Sequence, residues 1–376
     1  MYVEEVKAKK IKDSRRGETI EVTVNGCKAS SPGGKSVGKH ETPMYYSSID
    51  WTIDFLNKLE IDFAINEFAD LEKVEEAIRK KSGFHDAKIL GANALYAFES
   101  AILKALAKDK KKELWQIVNE NASKFPVPVG NIIGGGLHSG NFKNHPFFQE
   151  FLLIPKGNSF EGNVSIMKDI YEKVGNMINA TKKNDEGAWQ TTLNEAEILD
   201  TLSNFKEITN LGLDIAASTL FNNKNYNYKI IFNRDRQISY VNMLIDEYDL
   251  LYVEDPLQEE DFNGFALIKK KHLVVGDDLT ATQIDRLENA IRNKSINAMI
   301  IKPNQNGSLL EVKKIFDICK TNGIKTILSH RSGETMDNAL ADFAFGFGAD
   351  YIKCGIATKW REAKLKRMIE IEKGLN

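Results

Sequence analysis

In the C-terminal part of the chain, six apolar runs each end at or near a charged side chain. LGLD ends in Asp214, LLYVED carries Glu254, LVVGDD carries Asp277 and NAMIIK ends in Lys302. TILSHR carries His330, with Arg331 and Ser332 behind it, and DYIK ends in Lys353. Taken singly, each is as well explained by a turn, a helix cap or a salt bridge. Together they place three carboxylates, two lysines and a His-Arg-Ser triplet at matching points of one recurring pattern. Three converging carboxylates repel and raise one another's pKa. A hard divalent cation relieves that repulsion, and a ligand set of oxygens without His or Cys favours Mg2+ over Zn2+. Asp278, beside Asp277, reads instead as a loop or capping carboxylate.

Lys302, near such a cation and a second lysine, is expected to have its charged form disfavoured. Its pKa then falls, and it serves as a base rather than a counter-ion. Lys353 reads as mainly electrostatic. Carboxylates, Mg2+ and a lysine base suit removal of a proton next to a carboxylate, with the metal holding the enolate-like intermediate. Arg331 offers a planar fork matched to phosphate, and Ser332 adds a hydroxyl and a backbone N–H. The substrate these groups describe is a phosphorylated carboxylic acid.

The elements that must position these groups are legible in the same runs. Each run is strand-like, and amphipathic helical stretches such as GSLLEVKKIFDICKTNG lie between them. The intervals run from 23 residues (Glu254 to Asp277) to 40 (Asp214 to Glu254), the size of a strand plus a helix. Successive βα units imply a parallel sheet, and this many imply a closed (β/α)8 barrel of the α/β class, whose site lies at the C-terminal strand ends. Ahead of them, VEEVKAKKIKD and ETIEVTVNGCKA alternate like strands around an Asn-Gly turn, and the Gly-rich SPGGKSVGKHE reads as a loop. Residues 50–120 are helical in pattern, most clearly ANALYAFESAILKALAK, and the prolines of FPVPVGN mark a division. The expected organisation is an α+β N-terminal domain over 1–126 and a barrel over 127–376.

Composition narrows the function classes. The 51 basic and 53 acidic side chains leave a formal charge of -2, which gives no support for nucleic acid or an anionic membrane as the main partner. The basic run KDKKKE at 108–113 reads as a solvated helix end. Cys27, Cys319 and Cys354 form no CxxC pair or metal spacing and fit a reducing cytosol. No apolar stretch approaches the length of a membrane span, and MYVEEVKAKK lacks the apolar core of a signal peptide. A cytoplasmic location is therefore expected.

Several segments, in order along the whole chain, resemble those of the enolase family. KIKDSRRGETIEVTV is similar to the family's DSRGNPTVEVEV, and GGKSVGKHE to its SGASTG loop. LGANALYAFESAILKALA, VGNIIGGGLHSGN, FFQEFLLIP and NDEGA follow, then the strand-end motifs and SHRSGETMDNALADFAFGFGADYIKCG. The resemblance implies a modified (β/α)8 barrel with a lid loop from the N-terminal domain, and dehydration of 2-phosphoglycerate to phosphoenolpyruvate. The Lys-and-Mg2+ arrangement is general to the enolase superfamily. By resemblance Lys302 is the base, Glu186 the acid assisting loss of the β-hydroxyl, and Asp214, Glu254 and Asp277 the Mg2+ ligands. Ser36 matches the loop serine that helps hold a second Mg2+. His138 and Glu150 match residues on the hydroxyl side, Arg331 and Ser332 the phosphate contacts, His330 the histidine beside them, and Lys353 the lysine facing the substrate carboxylate. His40 and His145 have no matched role and read as surface residues. A homodimer or higher homo-oligomer is implied as well.

The chain departs from the family at Lys35 and Val37, in the longer NFKNHPFF, in NDEGA and in GIATKWRE. These departures bear on loop closure, the second metal and the substrate. Two other readings therefore stand beside the first: a superfamily lyase or racemase acting on an unphosphorylated acid, and a non-catalytic paralog.

Overall fold

The computed structural model describes residues 1–34 and 38–375. The chain opens with an antiparallel meander of β1 (Val6–Lys12), β2 (Glu18–Val24) and β3 (Cys27–Ser30). Asn25 and Gly26 join β2 to β3 with φ of 47° and 77°, the left-handed pair that a two-residue hairpin needs. Ile20, Val22 and Val24 face inward from β2. Helices α1 (Ile49–Asn57), α2 (Leu71–Ser82), α3 (Ala92–Lys110) and α4 (Leu114–Val118) follow. The Ala-rich α3 is buried on almost every side, because the meander packs on one flank of it and barrel elements on the other. Gly91 starts it at φ 113°, where a Cβ would stand 2.4 Å from the Tyr45 backbone.

The eight-stranded barrel closes in the order β10-β11-β12-β13-β14-β4-β5-β6. It begins with β4 (Val127–Gly134) and β5 (Glu150–Pro155), continues through α5 (Phe160–Met177) and α6 (Glu195–Ser203), and returns in β6 (Thr209–Asp214). A small outer sheet of β7 (Phe221–Asn222), β8 (Asn225–Asn227) and β9 (Ile231–Phe232) precedes α7 (Arg234–Tyr248). The remaining units are β10 (Tyr252–Glu254), α8 (Phe262–Phe265), β11 (Leu273–Gly276), α9 (Ile284–Arg292) and β12 (Ala298–Ile301). After these come α10 (Pro303–Asn306), α11 (Leu309–Thr321), β13 (Lys325–Ser329), α12 (Ala339–Gly346), β14 (Tyr351–Lys353) and α13 (Lys359–Leu375).

One strand corrects the all-parallel sheet that the repeating units imply. β5 runs antiparallel to both neighbours, because a loop with a single 3-10 turn (Gly136–Ser139), not a crossover α-helix, joins it to β4. Its first residue therefore sits where the other strands end: Glu150 pairs in register with Gly134 on one side and Asp214 on the other. Inside the barrel, Val129, Leu152, Ile154, Tyr252, Val275, Ala298, Ile300 and Ile327 make a separate apolar core below the mouth. Outside, α12 joins the two halves of the molecule. Phe345 packs on Trp115 and Phe125 with ring centroids 5.0 and 4.6 Å apart, and Phe347 stacks on Phe316 at 5.1 Å. Burying a side chain of this size contributes about 1.5–3 kcal/mol.

The N-terminal domain is stitched to the loop after β13. Gly33 and Gly333 exchange both backbone hydrogen bonds, at 2.6 and 2.8 Å. Ser14 N–H donates to the Glu334 carbonyl at 2.7 Å, and Lys104 Nζ reaches Asp337 Oδ2 at 2.8 Å.

Candidate active site

The C-terminal strand ends surround a cavity of about 290 Å3. Asp214, Asp277, Lys302, His330, Arg331, Ser332 and Lys353 line it, as do His138 and Glu186 from connecting loops. Glu254 and Glu150 lie just beneath, both within reach of Lys353. Ser36 falls outside the described residues.

Lys353 is the hub of the floor. Its Nζ stands 2.9 Å from Glu150, 3.0 Å from Asp214 and 2.8 Å from Glu254. Burial alone would lower its pKa, but these three carboxylates hold it well above the ordinary lysine value. Burial and mutual repulsion leave Asp214 above its ordinary range, and burial with Asp214 nearby pushes Glu254 well above. The Tyr252 hydroxyl donates to Glu254 Oε2 from within the barrel, at 2.5 Å.

Lys302 differs from expectation. Its Nζ is 2.5 Å from Asp277 Oδ2. Burial lowers its pKa, yet the Asp277 charge outweighs burial and the neighbouring Arg331 and Lys353, and the net shift is upward. Asp277 is correspondingly lowered: burial would raise it, but Lys302 and Lys353 prevail. Its ion pair with Asp277 thus favours the ammonium form.

The three expected metal ligands share the mouth but are divided between the two lysines. Asp214 and Glu254 turn to Lys353, and Asp277 turns to Lys302. Among the described residues, Asp277 groups instead with Asp255 and Asp278, whose carboxylate oxygens lie within 4.8 Å of one another. Asp255 accepts from the backbone N–H of Asp277 at 3.0 Å and of Asp278 at 2.7 Å, which orders the turn after β11. Asp278, read as a loop or capping carboxylate, lies in the turn after β11 and lines the cavity, and burial with Asp277 beside it pushes its pKa to about 7. A divalent cation fits this floor. The donors are all oxygens, several are held above their ordinary pKa by burial and then by crowding, and Asp277 Oδ1 is buried without a hydrogen-bond partner among the described residues.

Across the mouth stands a second group. His138 Nδ1 is 3.3 Å from Glu150 Oε1 and 3.8 Å from Glu186 Oε2. Burial would lower the His138 pKa, but Glu186 and Glu150 raise it. Burial would raise Glu186, but His138 and Arg361 bring it to about 2. The neighbouring cations thus favour the carboxylate form of Glu186, the residue expected to be the acid. The same pairing favours the charged form of His138.

Arg331 is buried and already engaged. Its Nη2 is 3.2 and 2.9 Å from the two Glu41 oxygens, and Nη1 is 3.3 Å from Asn304 Oδ1. Arg15 Nη1 lies 3.5 Å from Ser332 Oγ. His40, read as a surface residue, is half-buried against Glu260 at 2.6 Å and Arg286 at 2.9 Å, docking the segment that carries Glu41.

The sequence reading missed Glu41, Asp255 and Arg361. Glu41 and Asp255 carry no signal beyond being carboxylates near a loop and a strand end. Arg361 had one. The buried positions of α13 are Arg361, Lys364, Leu365, Met368 and Ile371, a helical core-facing stripe that begins with two charges.

Residues 122–376 match the family model described as enolase, C-terminal TIM barrel domain. The chain is 35% identical over 400 aligned residues to the enolase of Archaeoglobus fulgidus, covering 99% of this chain and 97% of that protein. It is 33% identical over 398 residues to the enolase of Thermoplasma acidophilum, covering 99% and 98%. The enolase of Ehrlichia ruminantium is also 33% identical, over 412 residues, covering 100% and 97%.

Proposed function

The chain belongs to the enolase family of lyases, and from that premise we propose that it dehydrates 2-phosphoglycerate to phosphoenolpyruvate with the help of Mg2+. The observation that carries this reading is the placement of base and acid groups around the ring. β12, which Lys302 directly follows, and β5, which starts at Glu150, are four strands apart in the closed order of eight, so they face each other across the mouth. A substrate between them meets Lys302 on one side and the His138–Glu150–Glu186 group on the other.

Arg331 and Ser332, on β13's end between those two sides, take the phosphate. Lys302 Nζ takes the α-proton as the C–H bond breaks. The β C–O bond then breaks, its oxygen leaves with the electron pair, and a proton from the His138–Glu186 pair completes the departing water. Lys302 can act only in its neutral form, so its basicity depends on what Asp277 holds. Asp214, Glu254 and Asp277 would hold Mg2+, with Ser36 for a second ion, and the metal supplies charge stabilisation for the enolate-like carboxylate. Family membership also supports a homo-oligomeric, cytoplasmic enzyme; among the described residues no helix is long and apolar enough to cross a membrane.

The test is the ultraviolet absorbance of phosphoenolpyruvate after 2-phosphoglycerate and Mg2+ are added to the purified protein. A signal abolished by chelator and reduced at least about 100-fold in Lys302→Ala is expected. Folded protein with no signal would reject the reading in favour of another acid or a non-catalytic role.

A further inference from the structure

Arg361 occupies the first turn of α13 and is fully buried. The positive end of the helix dipole and the loss of hydration both oppose a cation there. What offsets this is a set of four acceptors. Arg361 Nε–H donates to His330 Nδ1 at 3.1 Å. Nη2 donates to the carbonyl oxygens of Arg331 and Ser332 at 3.2 and 3.1 Å, and Nη1 to Thr358 Oγ1 at 3.4 Å. The same Nη2 stands 3.7 Å from Glu186 Oε1. One turn later, Lys364 Nζ donates to the Thr335 carbonyl at 2.6 Å and pairs with Glu334 at 2.6 Å. Two cations of one helix thus hold the loop after β13 from behind.

The bond to His330 has a chemical consequence. A guanidinium nitrogen can only donate, so His330 Nδ1 must be the acceptor and carries no proton. The single ring proton then sits on Nε2, which lies 3.9 Å from Glu186 Oε2. We infer that Arg361 is a positioning residue that fixes His330 as the Nε2–H tautomer and aims one neutral N–H donor into the cavity beside Glu186. Burial first, and the Arg361 charge second, also keep the imidazole from taking a second proton. His330 therefore offers a hydrogen bond to a substrate oxygen without joining the proton transfers, which stay with Lys302 and the His138–Glu186 pair. The tautomer is a property of the resting protein; only its kinetic effect rests on the dehydratase reading.

The test is a long-range 1H–15N correlation spectrum of the full-length protein labelled at histidine, with His330 assigned from the missing signals of His330→Gln. The expected pattern is a protonated Nε2 and a bare Nδ1. In Arg361→Lys one ammonium cannot serve the ring and both carbonyls. A growing Nδ1–H population and a kcat lower by about 10- to 100-fold are then expected. An imidazolium or an Nδ1–H tautomer in the wild-type protein would overturn the inference. So would a folded Arg361→Lys with the tautomer and kcat unchanged. If that variant does not fold, the wild-type spectrum decides alone. If the wild-type protein turns over no 2-phosphoglycerate, the functional reading fails while the tautomer is still measured.

Discussion

Glu41 sits on Arg331, the side chain proposed to hold the phosphate. Its two oxygens take Arg331 Nη2, and both side chains are only 5% exposed. A phosphate must therefore compete with a carboxylate for the same fork. In Glu41→Gln that competition disappears, and inorganic phosphate should bind about tenfold more tightly by calorimetry, equivalent to ~1.4 kcal/mol. Unchanged or weaker binding would mean that Glu41 orders the fork rather than occupying it. A second expectation concerns Lys302. In the metal-free protein it should titrate above the ordinary lysine value, because Asp277 outweighs burial. In Asp277→Asn burial, Arg331 and Lys353 lose their main opponent, and the value should fall; NMR of the lysine ε-carbon reads both. A value that stays high would assign the shift to Glu254 instead. The strand-end acids and lysines were legible because a barrel puts its chemistry at one end of every strand, and the pattern repeats. Partnership was not legible: nothing in NAMIIK says that Lys302 is bound to Asp277, and nothing in GKHE says that Glu41 reaches Arg331.

At the scale of elements, the contact between α3 and the loop before α12 decides how the N-terminal domain is held. Asp337 accepts from Lys104 Nζ at 2.8 Å, from Ser30 N–H at 3.0 Å and from Ala339 N–H at 2.9 Å. Burial would raise its pKa, but Lys104 and the helix-start N–H lower it. A depressed carboxylate contributes stability that is present above its unfolded value, about 3.9, and is lost as pH falls through the lower folded value. Lys104→Met should therefore cost about 1.5–3 kcal/mol at pH 7 and distinctly less near pH 3, in paired denaturant titrations. An equal loss at both pH values would show that packing, not charge, holds this junction. The elements themselves were largely readable, since the Asn-Gly hairpin, the Ala-rich helix and the strand–helix alternation are local signals. The reversal of β5 was not. FLLIP is an apolar run like the others, and direction is a property of how a strand pairs, not of its composition. Its result, a first residue in the active mouth, explains how Glu150 joins residues that end their strands.

For the whole molecule, the site is a product of distant segments. Glu41 comes from near the start, His138 and Glu186 from the first barrel units, and Arg361 from the last helix. The two apolar cores reflect this division of labour: the inner one closes the barrel below the floor, and the outer one binds helices and N-terminal domain together. The Gly33–Gly333 pairing ties the ends of that arrangement at a point where no side chain fits, since a Cβ on Gly333 would lie 2.2 Å from Asp13 Oδ2. On the ribosome, where chains emerge from the N-terminus at about 5–20 residues per second, the meander is finished early and then waits for its partner. Gly33 finds Gly333 only after 300 further residues have been added. Until β13 and its loop have emerged, Asp214, Glu254, Asp277 and Lys302 stand without Arg331, so a product cut short before that point lacks the side chain proposed for the phosphate.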